Sequence, residues 1–80
     1  MYFVYILHSH TAQRFYCGHT DNLERRLRQH NDPDYFGTRT TKVFPGPWEL
    51  VWSQACDSRS EAQKRELAIK KRGIKRFLDK

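Results

Sequence analysis

The chain has 80 residues, 38% of them hydrophobic and 14% aromatic, which predicts a single domain over residues 1–80 and excludes global disorder. Fifteen lysines and arginines against nine acidic residues give a net charge of +6, which favours a polyanionic partner, nucleic acid first. Two cysteines exclude a disulfide framework, and the absence of a leader or of a membrane-length apolar run predicts a cytoplasmic protein without a membrane partner.

The first half of the chain begins with two predicted strands. Residues 2–8 form a nearly continuous aromatic and β-branched run, typical of a central strand covered on both faces. Residues 14–19 predict a second strand that pairs with the first as a hairpin. In register, Tyr5 and Tyr16 project to one side, and Gly18 indicates a close backbone approach there. Two ordinary structural tyrosines are the alternative interpretation.

A helix is predicted over residues 23–29, and residues 20–22 offer its N-cap. The face of this helix that should be apolar carries leucines, but also Arg26 and His30. Because burial of unpaired polar groups costs several kcal/mol, these two side chains indicate a functional site. The same helical phase points Arg25 away from that site.

The second half of the chain predicts one more strand and two more helices. Residues 48–56 contain the third strand, and a capping box beginning at Ser58 starts a helix that runs to about Arg72. Gly73 is expected to end it, before a short final helix over residues 74–78. The fold class is therefore α+β, a small three-stranded antiparallel sheet flanked by helices in the order β-β-α-β-α-α.

Glu66 is the second polar residue that stands in an apolar helical stripe, between Ala62 and Ile69. A half-buried carboxylate with no obvious partner is a candidate ligand for a hard cation such as Mg²⁺ or Mn²⁺. An ion pair with Arg26 or with a lysine is an equally good interpretation of the spacing.

Two basic segments are candidates for contacts with a phosphate backbone. One lies in the long segment of residues 31–46 and includes Arg39 and Lys42; long loops are often functional. The other lies near the C-terminus and includes Lys70, Lys71 and Arg72. The alternative for each is an ordinary solvated surface.

These residues together resemble a known family. Val4-Tyr5-Ile6 followed by Tyr16-Cys17-Gly18 resembles the paired motifs of the GIY-YIG nuclease superfamily, and residues 16–31 resemble its strand-to-helix signature. Residues 47–52 and 58–71 are similar to the small stand-alone bacterial members, so the resemblance covers nearly the whole chain. Val4 and Cys17 replace the glycine and the isoleucine of the motifs, while both tyrosines and Gly18 are kept.

The resemblance implies a metal-dependent phosphodiesterase. By position, Tyr5 and Tyr16 match the motif tyrosines, Arg26 the catalytic arginine and His30 the helical His-or-Tyr position. Glu66 matches the metal-binding glutamate, which implies a single Mg²⁺ or Mn²⁺ ion. Either Tyr16 or His30 fits the general base.

We therefore expect an endonuclease that hydrolyses phosphodiester bonds in nucleic acid. DNA is favoured over RNA, and the short chain predicts weak or structure-based specificity. The alternatives are a nucleic-acid-binding module that does not cut, and a catalytic subunit that is active only in a larger complex. The sequence predicts no oligomeric state.

Overall fold

The computed structural model describes residues 1–32 and 47–79 and confirms the predicted fold class and element order. The strands and helices follow one another in the predicted order, with boundaries within two residues of those predicted for the first three elements. The described elements are β1 (Tyr2–Ser9), β2 (Arg14–Thr20), α1 (Leu23–Asn31), β3 (Trp48–Cys56), α2 (Arg59–Arg72) and α3 (Ile74–Leu78).

The sheet places β1 between its two antiparallel neighbours, in the order β2-β1-β3. Residues 4–7 of β1 are buried on both faces, which confirms the prediction of a covered central strand. In the β1–β2 pairing, Tyr5 lies opposite Gly18 and Leu7 lies opposite Tyr16. Tyr5 and Tyr16 are therefore diagonal neighbours on one face of the sheet.

Alternation along the strands gives the sheet two different apolar faces. One face packs against α2 and α3, and its cluster includes Ile6, Cys17 and Ile69. The other face packs against α1, and its cluster includes Tyr5 and Trp48 with the half-buried leucines of α1. The helices therefore lie on opposite sides of a single sheet, and β2 forms an edge around which both sides can be reached.

The helix ends follow the capping chemistry that the sequence predicts. The Asn22 side chain accepts a 3.0 Å hydrogen bond from the Arg25 backbone N–H, and so caps α1. Ser58 caps α2 by accepting from the Glu61 backbone N–H at 3.2 Å. Gly73 has a φ of 101°, which favours glycine, and its N–H donates to the Ile69 carbonyl at 2.9 Å.

The helix α1 runs two residues beyond the predicted Gln29 because Asn31 is tied to the start of β3. The Asn31 amide donates to the Trp48 carbonyl at 3.0 Å, and its carbonyl accepts from the Trp48 N–H at 2.7 Å. The predicted contact residues Arg39 and Lys42 lie outside the described residues. Within residues 1–32 and 47–79, the helices are too short or too polar to cross a bilayer.

Candidate active site

A buried hydrogen bond links β1 to α1 at the centre of the candidate site. Tyr5 Oη and His30 Nε2 are 2.8 Å apart, and each of these two residues is only 2% exposed. Burial raises the pKa of the Tyr5 phenol far above its usual range, and the neighbouring Tyr16 adds to the rise. Tyr5 is therefore protonated at neutral pH and able to take part in this bond as a neutral phenol.

Tyr16 completes an aromatic group with Tyr5 and His30. Its ring centroid lies 4.8 Å from that of His30 and 6.1 Å from that of Tyr5. Gly18 makes this grouping possible, since a Cβ there would lie 2.8 Å from Tyr5 Oη and 2.9 Å from Tyr16 Cε2. The close approach that the glycine indicates is thus between side chains and the β2 backbone.

Arg26 lies at the border of this aromatic group, where α1 is half-buried. Its Nη1 donates to Gln29 Oε1 at 2.9 Å, one turn further along the helix. The Arg26 charge and hydrogen bond also act to lower the pKa of Tyr5, although burial outweighs them. The predicted neighbours Tyr5, Tyr16, Arg26 and His30 are therefore brought together.

Glu66 does not join that group, because α2 lies on the opposite face of the sheet. Its Oε1 accepts from His19 Nδ1 at 2.7 Å, and its Oε2 accepts from Lys70 Nζ at 2.7 Å. Glu66 therefore has two partners among the described residues. Of the two interpretations that the spacing allowed, the ion pair with a lysine is present, because Lys70 follows at i+4 on one helical face.

The partners of Glu66 set its charge. Burial acts to raise the pKa of this carboxyl, whose side chain is 16% exposed, but the hydrogen bonds from Lys70 and His19 outweigh it and lower the pKa. Burial acts to lower the pKa of Lys70, and Glu66 reverses that effect. The pair is therefore charged at neutral pH, and His19 Nδ1 is the donor to an ionised carboxylate.

The two halves of the candidate site approach each other around the edge strand β2. At the end of β2, an open concavity of about 300 Å³ is lined by both His19 and Arg26. One space therefore borders the arginine of α1 and the histidine that holds Glu66.

Arg25 also lines this concavity, in contrast to the prediction that it points away. Its Nη2 donates to Asp21 Oδ1 at 2.6 Å, which draws the side chain back along the helix to the end of β2. The helical phase gives the direction of a Cβ, but a long side chain bends towards its ion-pair partner. Lys71 and Arg72 are exposed on α2. Their exposure is compatible with both predicted alternatives, a phosphate contact and an ordinary solvated surface.

His19 is the site residue that the sequence analysis missed. The alternation of β2 places it on the same face as Cys17, towards α2, so its approach to Glu66 was open to prediction. The signal is weak, because the match depends on which turn of α2 crosses β2. Burial also raises the pKa of the neighbouring Cys17 thiol to about 11, so this cysteine is a protonated core residue.

The residues around Glu66 suit a cation that takes most of its ligands from water and substrate and few from the protein. Residues 1–32 and 47–79 contain no group of three or more His, Cys, Asp or Glu side chains that could hold a metal ion. Mg²⁺ commonly takes one or two carboxylates and completes its shell with water and substrate phosphates. Glu66, ionised and half-buried, fits the role of such a single protein ligand.

Comparison with known proteins places this geometry in a family. The family model that describes the GIY-YIG catalytic domain matches residues 1–76 of this chain. The chain belongs to the GIY-YIG family, a nuclease-type family of nucleic-acid-cleaving domains, which confirms the resemblance seen in the motifs.

The curated relatives carry the name UPF0213 protein. The chain is 39% identical over 71 residues to one from Clostridium perfringens, covering 89% of this chain and 72% of that protein. It is 42% identical over 69 residues to one from Desulfotalea psychrophila, covering 86% of this chain but only 60% of that protein. A Syntrophus aciditrophicus relative is 42% identical, with 76% of its length covered. No solved structure matched significantly.

Proposed function

We propose that this protein is a divalent-metal-dependent endonuclease that hydrolyses phosphodiester bonds in nucleic acid, with DNA favoured over RNA. The observation that carries the proposal is the concavity at the end of β2, which borders Arg26 and the His19 that binds Glu66. A cation for phosphate oxygens and the histidine that binds a candidate metal-holding carboxylate thus border one open space. The charge of +6 favours the same polyanionic substrate.

Arg26 binds the scissile phosphate in this proposal. Its guanidinium presents forked donors that match two non-bridging oxygens, and the charge stabilises the developing negative charge of the transition state. The hydrogen bond from Nη1 to Gln29 fixes one side of the fork. A lysine at this position would keep the charge and lose the fork.

Glu66 would hold the divalent ion, with His19 orienting the carboxylate from behind. When bound, Mg²⁺ or Mn²⁺ supplies Lewis-acid stabilisation of the leaving oxygen. Lys70 occupies the second carboxylate oxygen and is half-exposed, so it can move away or contact phosphate itself. This gives a role to one of the three lysine and arginine positions near the C-terminus that were predicted to bind nucleic acid.

Tyr16 is the better of the two candidates for the general base. His30 is 2% exposed and its Nε2 is engaged by Tyr5, so it has little access to an attacking water. Tyr16 is only half-buried on the edge strand, so it is more accessible to water than His30. In this arrangement, Tyr5 and His30 hold the Tyr16 ring in place, and Tyr5 acts as a neutral hydrogen-bonding group.

The test is a cleavage panel of labelled DNA and RNA, including duplexes, flaps and branched junctions, with Mg²⁺ or Mn²⁺. We expect metal-dependent cleavage by the wild type and loss of turnover in Glu66→Gln. Glu49→Gln is the matched control, because Glu49 is an exposed carboxylate on β3, away from the site. A wild type as inactive as Arg26→Ala on every substrate would contradict the proposal.

The same panel separates the cleaving enzyme from a binding module. Salt-dependent binding that survives Glu66→Gln, with no turnover under any metal, would show that the protein holds nucleic acid without cutting it. Binding of Mn²⁺, followed by electron paramagnetic resonance, is expected in the wild type and weakened in Glu66→Gln. This readout does not depend on finding the right substrate.

A further inference from the structure

The concavity at the end of β2 is larger than one phosphate contact requires. Beyond Arg26 it extends to Arg25 at the start of α1 and to Arg59, the first residue of α2. Arg25 and Arg26 come from α1 and Arg59 comes from α2, and the fold brings the three arginines to one open space of about 300 Å³. Three permanent positive charges therefore surround a space that a water-exposed anion can enter.

The acidic residue in this lining compensates only part of the charge. Asp21 is paired with Arg25, and both side chains are about half-exposed, so solvent weakens the attraction between them. Arg59 is exposed, and within the part of the chain that the structure describes it has no carboxylate at ion-pair distance. The concavity is therefore a region of net positive charge.

The position of Arg59 is unfavourable for its own helix. The N-terminal end of a helix carries the positive pole of the macrodipole, which destabilises a cation in the first turn. Ser58 caps α2 independently of Arg59. Local helix stability therefore gives no reason for an arginine here, whereas an anion in the concavity does.

We propose that Arg59 and Arg25 form a second phosphate-binding subsite, next to the phosphate that Arg26 holds. The ligand is a phosphate group of a nucleic acid, either in the backbone or at a strand end, and this assignment of the ligand rests on the proposed function. The Thr20 hydroxyl beside them accepts from the Asn22 N–H at 3.1 Å and donates to the Asn22 carbonyl at 3.3 Å. It is thus committed to the chain, and the subsite recognises charge without reading bases.

The experiment measures binding of fluorescently labelled duplex DNA without metal, in chelator, over a series of salt concentrations. Arg59→Gln is expected to weaken binding by roughly threefold to tenfold and to reduce the slope of log K against log salt by about 1, equally for unrelated sequences. Arg59→Lys is expected to restore most of the slope. Arg28→Gln is the control, because Arg28 is exposed on α1 and does not line the concavity.

Probes with and without a 5′-phosphate distinguish the two sources of the ligand. Equal loss for both probes indicates a backbone phosphate, and loss confined to the phosphorylated probe indicates a strand end. Thermal unfolding of Arg59→Gln is expected at the same temperature as the wild type or higher, because the unfavourable charge on α2 is removed. A merely structural arginine would give the opposite shift.

The subsite is overturned if Arg59→Gln and Arg28→Gln bind with the same affinity and salt slope. Because no metal is present, this result is independent of whether the protein cleaves. Failure of the nuclease proposal would appear instead in the cleavage panel, where the wild type would bind nucleic acid and show no turnover with any metal.

Discussion

The two faces of the sheet each bury a polar group, and they do so in different ways. On the α1 face, Tyr5 and His30 share one hydrogen bond in a closed, aromatic environment and both are 2% exposed. On the α2 face, Glu66 is held by His19 and Lys70 in a half-exposed, ionised network. The first arrangement is a neutral contact that fixes geometry, and the second is a charged group within reach of solvent.

Because of this difference, the two faces are suited to different roles in the proposed reaction. A neutral buried hydrogen bond is sensitive to shape and insensitive to salt, so the α1 face positions the Tyr16 ring and Arg26. A carboxylate held by a half-exposed lysine is able to exchange partners, so the α2 face is suited to an ion and a phosphate. In the proposed reaction, the edge strand β2 lies between the positioning groups of the α1 face and the charged groups of the α2 face.

The largest expected effect is on turnover when Arg26 is removed. Arg26→Ala should lower kcat by roughly 10²- to 10³-fold, because the transition-state charge loses a fixed donor. Arg28→Ala, two residues further along α1 and exposed, should leave kcat unchanged. Single-turnover cleavage of a substrate from the panel measures the rate of both variants. Equal losses in the two variants would contradict the assignment of the phosphate-binding role to Arg26.

Removal of the buried hydroxyl tests the closed character of the α1 face. Tyr5→Phe should lower the free energy of unfolding by about 1–3 kcal/mol, because His30 Nε2 loses its partner in the interior. Tyr2→Phe is the control, since Tyr2 is only half-buried and lies in the other cluster, and its change should stay within about 0.5 kcal/mol. Urea denaturation gives both values; a similar small loss in the two variants would show that the Tyr5–His30 bond contributes little.

Gly18→Ala tests the packing beneath the two tyrosines. The added methyl would lie 2.8 Å from Tyr5 Oη and 2.9 Å from Tyr16 Cε2, so we expect a loss of about 1–3 kcal/mol. In a Tyr5→Phe background the nearest of these atoms is gone, and the same substitution should cost less. Denaturation of the single and double variants gives the coupling, and purely additive losses would argue against the contact.

The smallest effect is a titration at high pH. Burial raises the pKa of Tyr5, so the folded state keeps a proton that the unfolded state loses near pH ~10. The resulting stability is fully present below that pH and declines as the pH rises towards the folded pKa. Ultraviolet absorbance of the phenolates should show one of the four tyrosines titrating last in the folded protein, and Tyr5→Phe should remove that step.

Much of the fold followed from the sequence because its signals are local. The covered strand over residues 2–8, the cap at Ser58 and the stop at Gly73 each depend on a few neighbouring residues, and the structure confirms them. Gly18 was predicted to mark a close approach, and the nearest atoms are those of Tyr5 and Tyr16.

The partners of individual side chains did not follow, because they depend on how the layers pack. Periodicity showed that Glu66 and Arg26 each face the sheet, but it could not show that they do so from opposite sides. The contact of Glu66 with His19 spans 47 positions and depends on where α2 crosses β2. Arg25 was placed by phase alone, and its pair with Asp21 moved it to the concavity.

The central claim is that Arg26 and Glu66 serve one reaction from opposite faces of the sheet, and a double-mutant cycle on turnover tests it most directly. Single-turnover rates of Arg26→Ala, Glu66→Gln and the double variant are compared with the wild type. Residues that act on one transition state give non-additive losses, so the double variant should be about as slow as the slower single variant. Losses that multiply in full would show two independent sites and contradict the account.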